Sequence, residues 1–222
     1  MLAQQQIGSP LINNFLYQDY QGAPINWWVV EDKEGIMYFA NNAGVLQYDG
    51  VHWNRIETNR SCRSLAMDDS GVIYVGGIGH FGYLKPGPTG ELQYVSLMDK
   101  IPEEHRTFDD VWEIDYYQGR VIYRTENKLF FWDGEQIKVE VFDNALHVGK
   151  VVHGTYYLRV WNVGLCKLTD NDRLELVPGG ERFADERIYT MLPYDDQMLI
   201  GVRNQGFYLY NGREFTPFKT EL

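Results

Sequence analysis

Short runs of alternating apolar and polar residues recur along the whole chain, and turn residues separate them. Five runs rich in β-branched and aromatic residues lie about 40 residues apart, at 36–40, 72–76, 121–125, 155–158 and 198–202. Alternation with a period of two is typical of half-buried strands, and helical periodicity is confined to short segments, of which 98–104 is the best. The pattern therefore predicts an all-β protein.

A turn signal follows the runs at a nearly constant distance. Asp-Gly or Asn-Gly pairs occur at 49–50, 133–134 and 211–212, and such pairs favour the type I′ turns that join antiparallel strands. Asp-rich turns precede two of the runs, at 32–35 and 68–71. Each repeat thus holds four short strands, and four antiparallel strands with a period of about 40 residues are typical of a β-propeller blade.

The repeats predict five blades after a leader of residues 1–24. The blades take residues 25–59, 60–107, 108–144, 145–186 and 187–222. Within the leader, residues 11–17 are a candidate closing strand, because an N-terminal strand often completes the last blade of a propeller.

Composition narrows the functional classes. The chain has 222 residues, with 20 Lys and Arg against 31 Asp and Glu, and a net charge of −11. This balance argues against direct nucleic-acid binding, and the absence of a polybasic patch or a long apolar segment argues against membrane insertion. No signal peptide is visible at 1–6, although Ala3-Gln4 looks like the remnant of signal-peptidase cleavage. Two cysteines, Cys62 and Cys166, form one disulfide or none.

Several segments have a recognisable order along the chain. They include Gln18-Asp19-Tyr20-Gln21-Gly22, Asn26-Trp27-Trp28, Gly44-Val45-Leu46-Gln47-Tyr48-Asp49-Gly50, Arg63-Ser64-Leu65-Ala66, Ile73-Tyr74-Val75-Gly76-Gly77 and Phe81-Gly82-Tyr83-Leu84. From Ile7 onward the chain resembles the two-component regulator propeller family, the sensor regions of bacterial transmembrane regulators. The order of the motifs over five repeats carries this resemblance.

The resemblance implies a seven-bladed propeller outside the cytoplasmic membrane, in the periplasm, with a sandwich domain, a transmembrane helix and an output domain downstream. This chain would then be the first five blades of a longer sensor region, and the downstream domains of the same regulator would be its partners. A complete five-bladed propeller is the alternative. For part of a larger propeller we expect an open arc with a gap between the first and last blades, or association that covers it, such as a homodimer.

Catalytic and metal-binding chemistry has little support in the sequence. The five histidines lie outside any motif, no nucleophile elbow is present, and no metal-ligand spacing occurs. The carboxylate pairs at 68–69 and 195–196 lie in predicted turns, which leaves Asp109-Asp110 as the pair with the best claim to acid–base work. We therefore expect no catalytic residue, no metal and no cofactor.

The loops between second and third strands and the connections between blades lie on one rim of a propeller, around the mouth of its central channel. Nine aromatic and basic side chains without a turn role fall on that rim: Trp27, Arg60, Arg63, His80, Trp112, Arg159, Trp161, Arg187 and Arg203. Trp faces stack on sugars or cations, and Arg forks bind carboxylates or sulfates. Taken singly, each residue also fits core packing or a solvated surface.

As a set, these residues predict a rim that binds a carbohydrate or another small polar or anionic ligand. The leading function is a non-catalytic ligand sensor. A propeller glycosidase or lyase, which needs convergent carboxylates at the channel mouth, and a protein-interaction scaffold are the alternatives.

Overall fold

The computed structural model describes residues 12–58 and 60–219, and over these ranges it confirms an all-β propeller of five four-stranded antiparallel blades. Blade 1 has β1 (Asn26–Glu31), β2 (Met37–Asn41), β3 (Gly44–Tyr48) and β4 (Trp53–Ile56). Blade 2 has β5 (Cys62–Met67), β6 (Ile73–Gly77), β7 (His80–Pro86) and β8 (Leu92–Ser96). Blade 3 has β9 (Glu113–Tyr117), β10 (Arg120–Arg124), β11 (Lys128–Trp132) and β12 (Ile137–Val141). Blade 4 has β13 (Leu146–Val152), β14 (Thr155–Val160), β15 (Gly164–Leu168) and β16 (Leu174–Leu176). Blade 5 has β17 (Ile188–Tyr194), β18 (Gln197–Val202), β19 (Gly206–Tyr210) and β20 (Phe215–Phe218).

The connections between blades contain the described helical residues, all in short 3₁₀ segments. Met98–Lys100 and Glu103–His105 link blades 2 and 3, and Gly180–Phe183 links blades 4 and 5. The predicted helical segment at 98–104 is therefore two separate 3₁₀ turns. In the described ranges, no helix is long and apolar enough to cross a bilayer.

Aspartates set the first hairpin of blades 1 and 2 in the same way. The Asp32 carboxylate accepts hydrogen bonds from the backbone N–H of Ile36 and from the hydroxyl of Tyr38. In blade 2 the carboxylate of Asp68 accepts the equivalent bonds from Val72 and Tyr74. An Asp side chain that caps its own turn fixes the register of the two strands that follow, which is how the repeat in the sequence becomes a repeat in the fold.

Each pair of consecutive blades shares one hydrophobic cluster. Blades 1 and 2 bury Ala40 and Val75, blades 2 and 3 bury Phe81 with Tyr123, and the later pairs are joined in the same manner. The stacked rings of Phe81 and Tyr123, with centroids 4.2 Å apart, show how aromatic side chains fill these interfaces. Among the described residues, no such cluster joins blade 5 to blade 1, so the blades form an open arc.

The two ends of the arc differ. On blade 1, the leader packs its aromatic rings against Trp53, with the centroid of Phe15 at 5.4 Å and that of Tyr20 at 5.3 Å. On blade 5 the corresponding outer face is bare, and Leu192 and Phe207 are 47% and 40% exposed. The arc therefore has one covered end and one apolar, open end.

The leader does not form the expected closing strand. Leu11 and the segment 1–6 lie outside the described residues; of the rest, 12–16 have no regular structure and 17–21 form a turn. Among the described residues, no strand pairs with this segment. Its rings instead cover the outer face of blade 1.

Candidate functional site

Near the start of the first strand of every blade, one residue lies at the channel mouth. In four blades the pairing with the second strand shifts register at this point, as a β-bulge does. In blade 3 the residue before β9 donates its N–H to the carbonyl of Arg124. The five equivalent positions are occupied by Trp27, Arg63, Trp112, His147 and Tyr189. Because a bulge re-aims a side chain without ending the strand, the repeat places one variable side chain per blade at the rim.

A cavity of about 630 Å³ opens among these positions. Its polar and aromatic lining comes from blades 1, 3, 4 and 5: Trp28, Trp112, Glu113, Arg124, Glu126, His147, Trp161, Arg187 and Tyr189. This volume lies in the range of small-molecule sites, which combine apolar walls with a few placed polar groups.

One wall of the cavity is a buried ion pair. Arg124 Nε lies 2.8 Å from Glu113 Oε2, and the two side chains are 4% and 12% exposed. The same Glu113 oxygen accepts the backbone N–H of Gly149 at 2.7 Å, which ties blade 3 to blade 4. The Glu113 carboxylate is therefore held by a cation and a backbone donor, which fixes this wall of the cavity.

A second wall contains the Trp161 ring, which has two arginines beside it. The Arg159 guanidinium lies 3.4 Å from the centroid of Trp161, and that of Arg187 lies 5.9 Å from it. Arg159 is fully buried, donates to the carbonyls of Phe183 and Ala184, and has a pKa lowered to about 10, chiefly by desolvation. Arg187 is exposed and, within the described residues, forms no ion pair. The buried arginine thus fixes the indole, and the exposed one is available to a ligand.

His147 faces the same space. Its ring centroid is 5.8 Å from that of Trp161 and 6.4 Å from that of Tyr189. Desolvation lowers the pKa of His147 to about 4, and the charges of nearby arginines act in the same direction. Its Nδ1 is buried without a hydrogen-bond partner in the described structure. The ring is therefore neutral at pH 7.

Beside the cavity, Arg63 holds two blades together. Its guanidinium lies 4.3 Å from the centroid of Trp27, its Nε donates to Asp110 Oδ1 at 2.7 Å, and its Nη1 donates to Asn42 Oδ1 at 2.6 Å. The Trp27 ring in turn lies 6.4 Å from that of Trp112, edge to face. The ion pair with Arg63 also accounts for Asp110, one of the two carboxylates of the Asp109-Asp110 pair, as the partner of an arginine.

The structure brings together six of the nine predicted rim residues. Trp112, Trp161 and Arg187 line the cavity, Arg159 lies behind Trp161, and Trp27 and Arg63 form the adjacent cluster. The remaining three, Arg60, His80 and Arg203, do not line it.

His80 is a buried histidine whose two ring nitrogens both have hydrogen-bond partners. Its Nε2 lies 3.3 Å from the carbonyl oxygen of Ser61, and its Nδ1 lies 2.8 Å from the hydroxyl of Tyr94. Because a carbonyl only accepts, Nε2 carries the proton and Nδ1 accepts from the tyrosine. Burial lowers the pKa of His80, which is consistent with a neutral ring that joins two strands of blade 2.

Sequence reasoning missed several lining residues: Trp28, Glu113, Arg124, Glu126, His147 and Tyr189. For His147 and Tyr189 a signal was present, since both occupy the repeat position of Trp27, Arg63 and Trp112. Arg124 has no such signal, because its inward direction depends on its pairing with Glu113 across two strands.

Cys62 and Cys166 are both free and buried, in blades 2 and 4. Over 12–58 and 60–219, no group of three His, Cys, Asp or Glu side chains is arranged to hold a metal ion.

The fold has clear relatives among solved structures, although no family model and no curated protein matches the sequence. The extracellular domain of a candidate one-component system from B. thetaiotaomicron superposes with a TM-score of 0.68 over 90% of this chain, at 12% identity. That of a candidate hybrid two-component system from the same organism superposes with a TM-score of 0.66 over 98%, also at 12% identity. The fold is that of these extracellular domains. The expected resemblance to regulator sensor regions is thereby confirmed at the level of fold.

The present chain spans 30% of the length of each of these two relatives. An enzyme also shares the fold: virginiamycin B lyase from Staphylococcus aureus superposes with a TM-score of 0.66 over 93% of this chain and 73% of its own, at 10% identity. At these identities the likeness is one of architecture, and the chemistry must be argued from the cavity.

Proposed function

We propose that this chain is the ligand-binding, non-catalytic part of the periplasmic sensor region of a bacterial transmembrane regulator, and that it binds a small carbohydrate or anion in the rim cavity. The observation that carries the proposal is the free guanidinium of Arg187 beside the Trp161 ring, in a cavity of about 630 Å³. An indole face suits a sugar ring, and a guanidinium beside it suits a carboxylate, a sulfate or a pair of hydroxyls.

Two carboxylates, Glu113 and Glu126, line the cavity, and the engaged state of Glu113 supports binding over catalysis. Hydrolysis of a glycoside needs two carboxyl groups that exchange protons or attack the sugar. Glu113 already accepts hydrogen bonds from Arg124 and Gly149, and the acid–base candidate Asp110 is paired with Arg63. A sensor needs only that the ligand bind one arrangement of the regulator better than another.

The test is a binding screen with a matched pair of arginine variants. The purified chain is screened by calorimetry against neutral, uronic-acid and sulfated oligosaccharides, with each substrate also analysed for product. Arg187→Ala removes the cavity guanidinium, and Arg203→Ala removes an exposed rim arginine of the same blade that does not line the cavity.

We expect binding without turnover, with affinity about 10- to 150-fold lower for R187A and unchanged for R203A, because a hydrogen bond to a charged group contributes about 1.5–3 kcal/mol. Equal affinities for the two variants would contradict the site. Cleavage of an oligosaccharide would favour a carbohydrate-active propeller enzyme.

A further inference from the structure

Trp28 lies at the boundary between two cavities of the central channel. Its side chain lines the rim cavity and also lines a second cavity of about 330 Å³ deeper in the channel. The rest of the lining of the second cavity comes mainly from the first strands of blades 1 to 4, including Met67, Asp115 and Lys150. The indole of Trp28 is therefore the surface that the two spaces share.

A lysine of blade 4 contacts this indole, and a carboxylate of blade 3 contacts the lysine. Lys150 of blade 4 places its Nζ 5.5 Å from the centroid of the Trp28 ring, which belongs to blade 1. The same Nζ lies 3.5 Å from Oδ1 of Asp115 in blade 3. Blades 1 and 4 are not neighbours in the arc, so the contact spans the channel instead of an interface between adjacent blades.

The carboxylate end of this bridge is the rigid one. Asp115 is 7% exposed, whereas the Lys150 side chain is 39% exposed and has a flexible stem. A buried carboxylate that pairs with a half-exposed ammonium restricts where the ammonium lies, and a restricted cation attracts an aromatic face.

We propose that Trp28 is the floor of the rim cavity, and that Lys150 and Asp115 are positioning residues that hold it across the channel. The proposal rests on the proposed function only for its consequence for the ligand. A floor at this position separates the rim cavity from the second cavity, so we expect the site to take a small molecule or the terminal unit of a longer sugar rather than a polymer threaded along the channel.

The experiment measures the accessibility of Trp28 without any ligand. At about pH 8.5, above the raised pKa of about 7 of Asp115, acrylamide, a neutral quencher, is titrated against the full chain and against Trp28→Phe, and the difference isolates the emission of Trp28. The same pair is measured in Lys150→Met, Lys150→Arg and Asp115→Asn backgrounds. Lys167→Ala is the control, because Lys167 forms an ion pair of the same 3.5 Å length in blade 4, with Glu175 and outside the channel.

We expect the quenching constant of Trp28 to rise severalfold in K150M and in D115N, with a red shift of its emission. It should stay near that of the parent chain in K150R, which keeps a cation, and in K167A. Melting temperatures of all variants identify any that fail to fold, and K150M retains the packing volume of the stem.

Unchanged quenching in both K150M and D115N would overturn the positioning role, and equal changes in K150R and K150M would overturn the cation contact. Since no ligand is present, neither result depends on the proposed function. If the binding screen found no ligand, the proposed function would fail and the role of Trp28 as the floor of the rim cavity would still stand.

Discussion

The buried carboxyl of Asp115 makes protein stability depend on pH in a direction opposite to that of most carboxylates. Burial raises its pKa from 3.8 to about 7, and the nearby charge of Glu113 adds to the rise, while Lys150 acts against it. A raised folded-state pKa means that the native chain holds this proton more tightly than the unfolded chain does. The contribution to stability is thus complete below about pH 4 and is lost as the pH rises through 7.

The size of this pH dependence follows from the pKa shift of Asp115. A rise from 3.8 to about 7 is about 3 pH units, and at 1.36 kcal/mol per unit this is about 4 kcal/mol. Asp115→Asn removes the titration and keeps the shape of the side chain. The free energy of unfolding of D115N, minus that of the parent chain, should therefore increase by about 4 kcal/mol between pH 4 and pH 8.

Urea unfolding followed by tryptophan fluorescence, repeated at half-unit steps from pH 4 to pH 8, provides the assay. Taking the difference between the two proteins cancels the titration of every other group, including His147, whose lowered pKa gives the opposite slope. A difference that is flat with pH would refute the burial of this carboxyl. A difference that decreases with pH would show that the Lys150 ion pair outweighs desolvation.

Three further predictions concern the blade interfaces and the cavity. Glu113→Gln should lower the free energy of unfolding by about 3–5 kcal/mol in urea titrations, because it leaves the buried Arg124 cation without its partner. Lys167→Ala breaks an exposed ion pair and should lower the free energy of unfolding by under about 1 kcal/mol. The ring proton signals of His147 should not shift between pH 5.5 and 8 in NMR titrations, because its pKa is about 4; a midpoint near 6.5 would contradict its burial. Asp172→Asn removes the carboxylate that binds an arginine and a lysine of blade 3, and it should lower the free energy of unfolding by about 1.5–3 kcal/mol at pH 7. Those cations lower the pKa of Asp172, so the loss of stability should shrink below pH 4 as the parent carboxyl is protonated. An equal loss at both pH values would count against the pairing.

The architecture was predictable because it is encoded locally and repeatedly. Asp32 and Asp68 cap their own turns within four residues, so the sequence itself displays the hairpins from which each blade is made. A repeat also defines equivalent positions, and the rim position of Trp27, Arg63 and Trp112 follows from topology alone. Neither the hairpins nor the rim position depends on a long-range contact.

The composition of the cavity was only partly predictable, because it depends on contacts between distant blades. Whether a rim arginine is free or engaged cannot be read from its neighbours in sequence. Arg63 is held by Asp110, 47 residues away, and Arg159 by a carbonyl 24 residues away, while Arg187 remains exposed. Trp28 faces the channel because the β-bulge at its neighbour changes the strand register, a one-residue effect that alternation of apolar residues does not reveal.

The tryptophans provide a direct test that the rim cavity is the binding site. The six indole N–H signals of the ¹⁵N-labelled chain are assigned by single Trp→Phe variants and followed while an oligosaccharide from the binding screen is added. We predict that Trp112 and Trp161, which line the cavity, shift in a saturable manner, and that Trp53 and Trp132, which lie outside it, do not. Saturable binding that moves Trp53 or Trp132 and leaves Trp112 and Trp161 unchanged would contradict this assignment of the site.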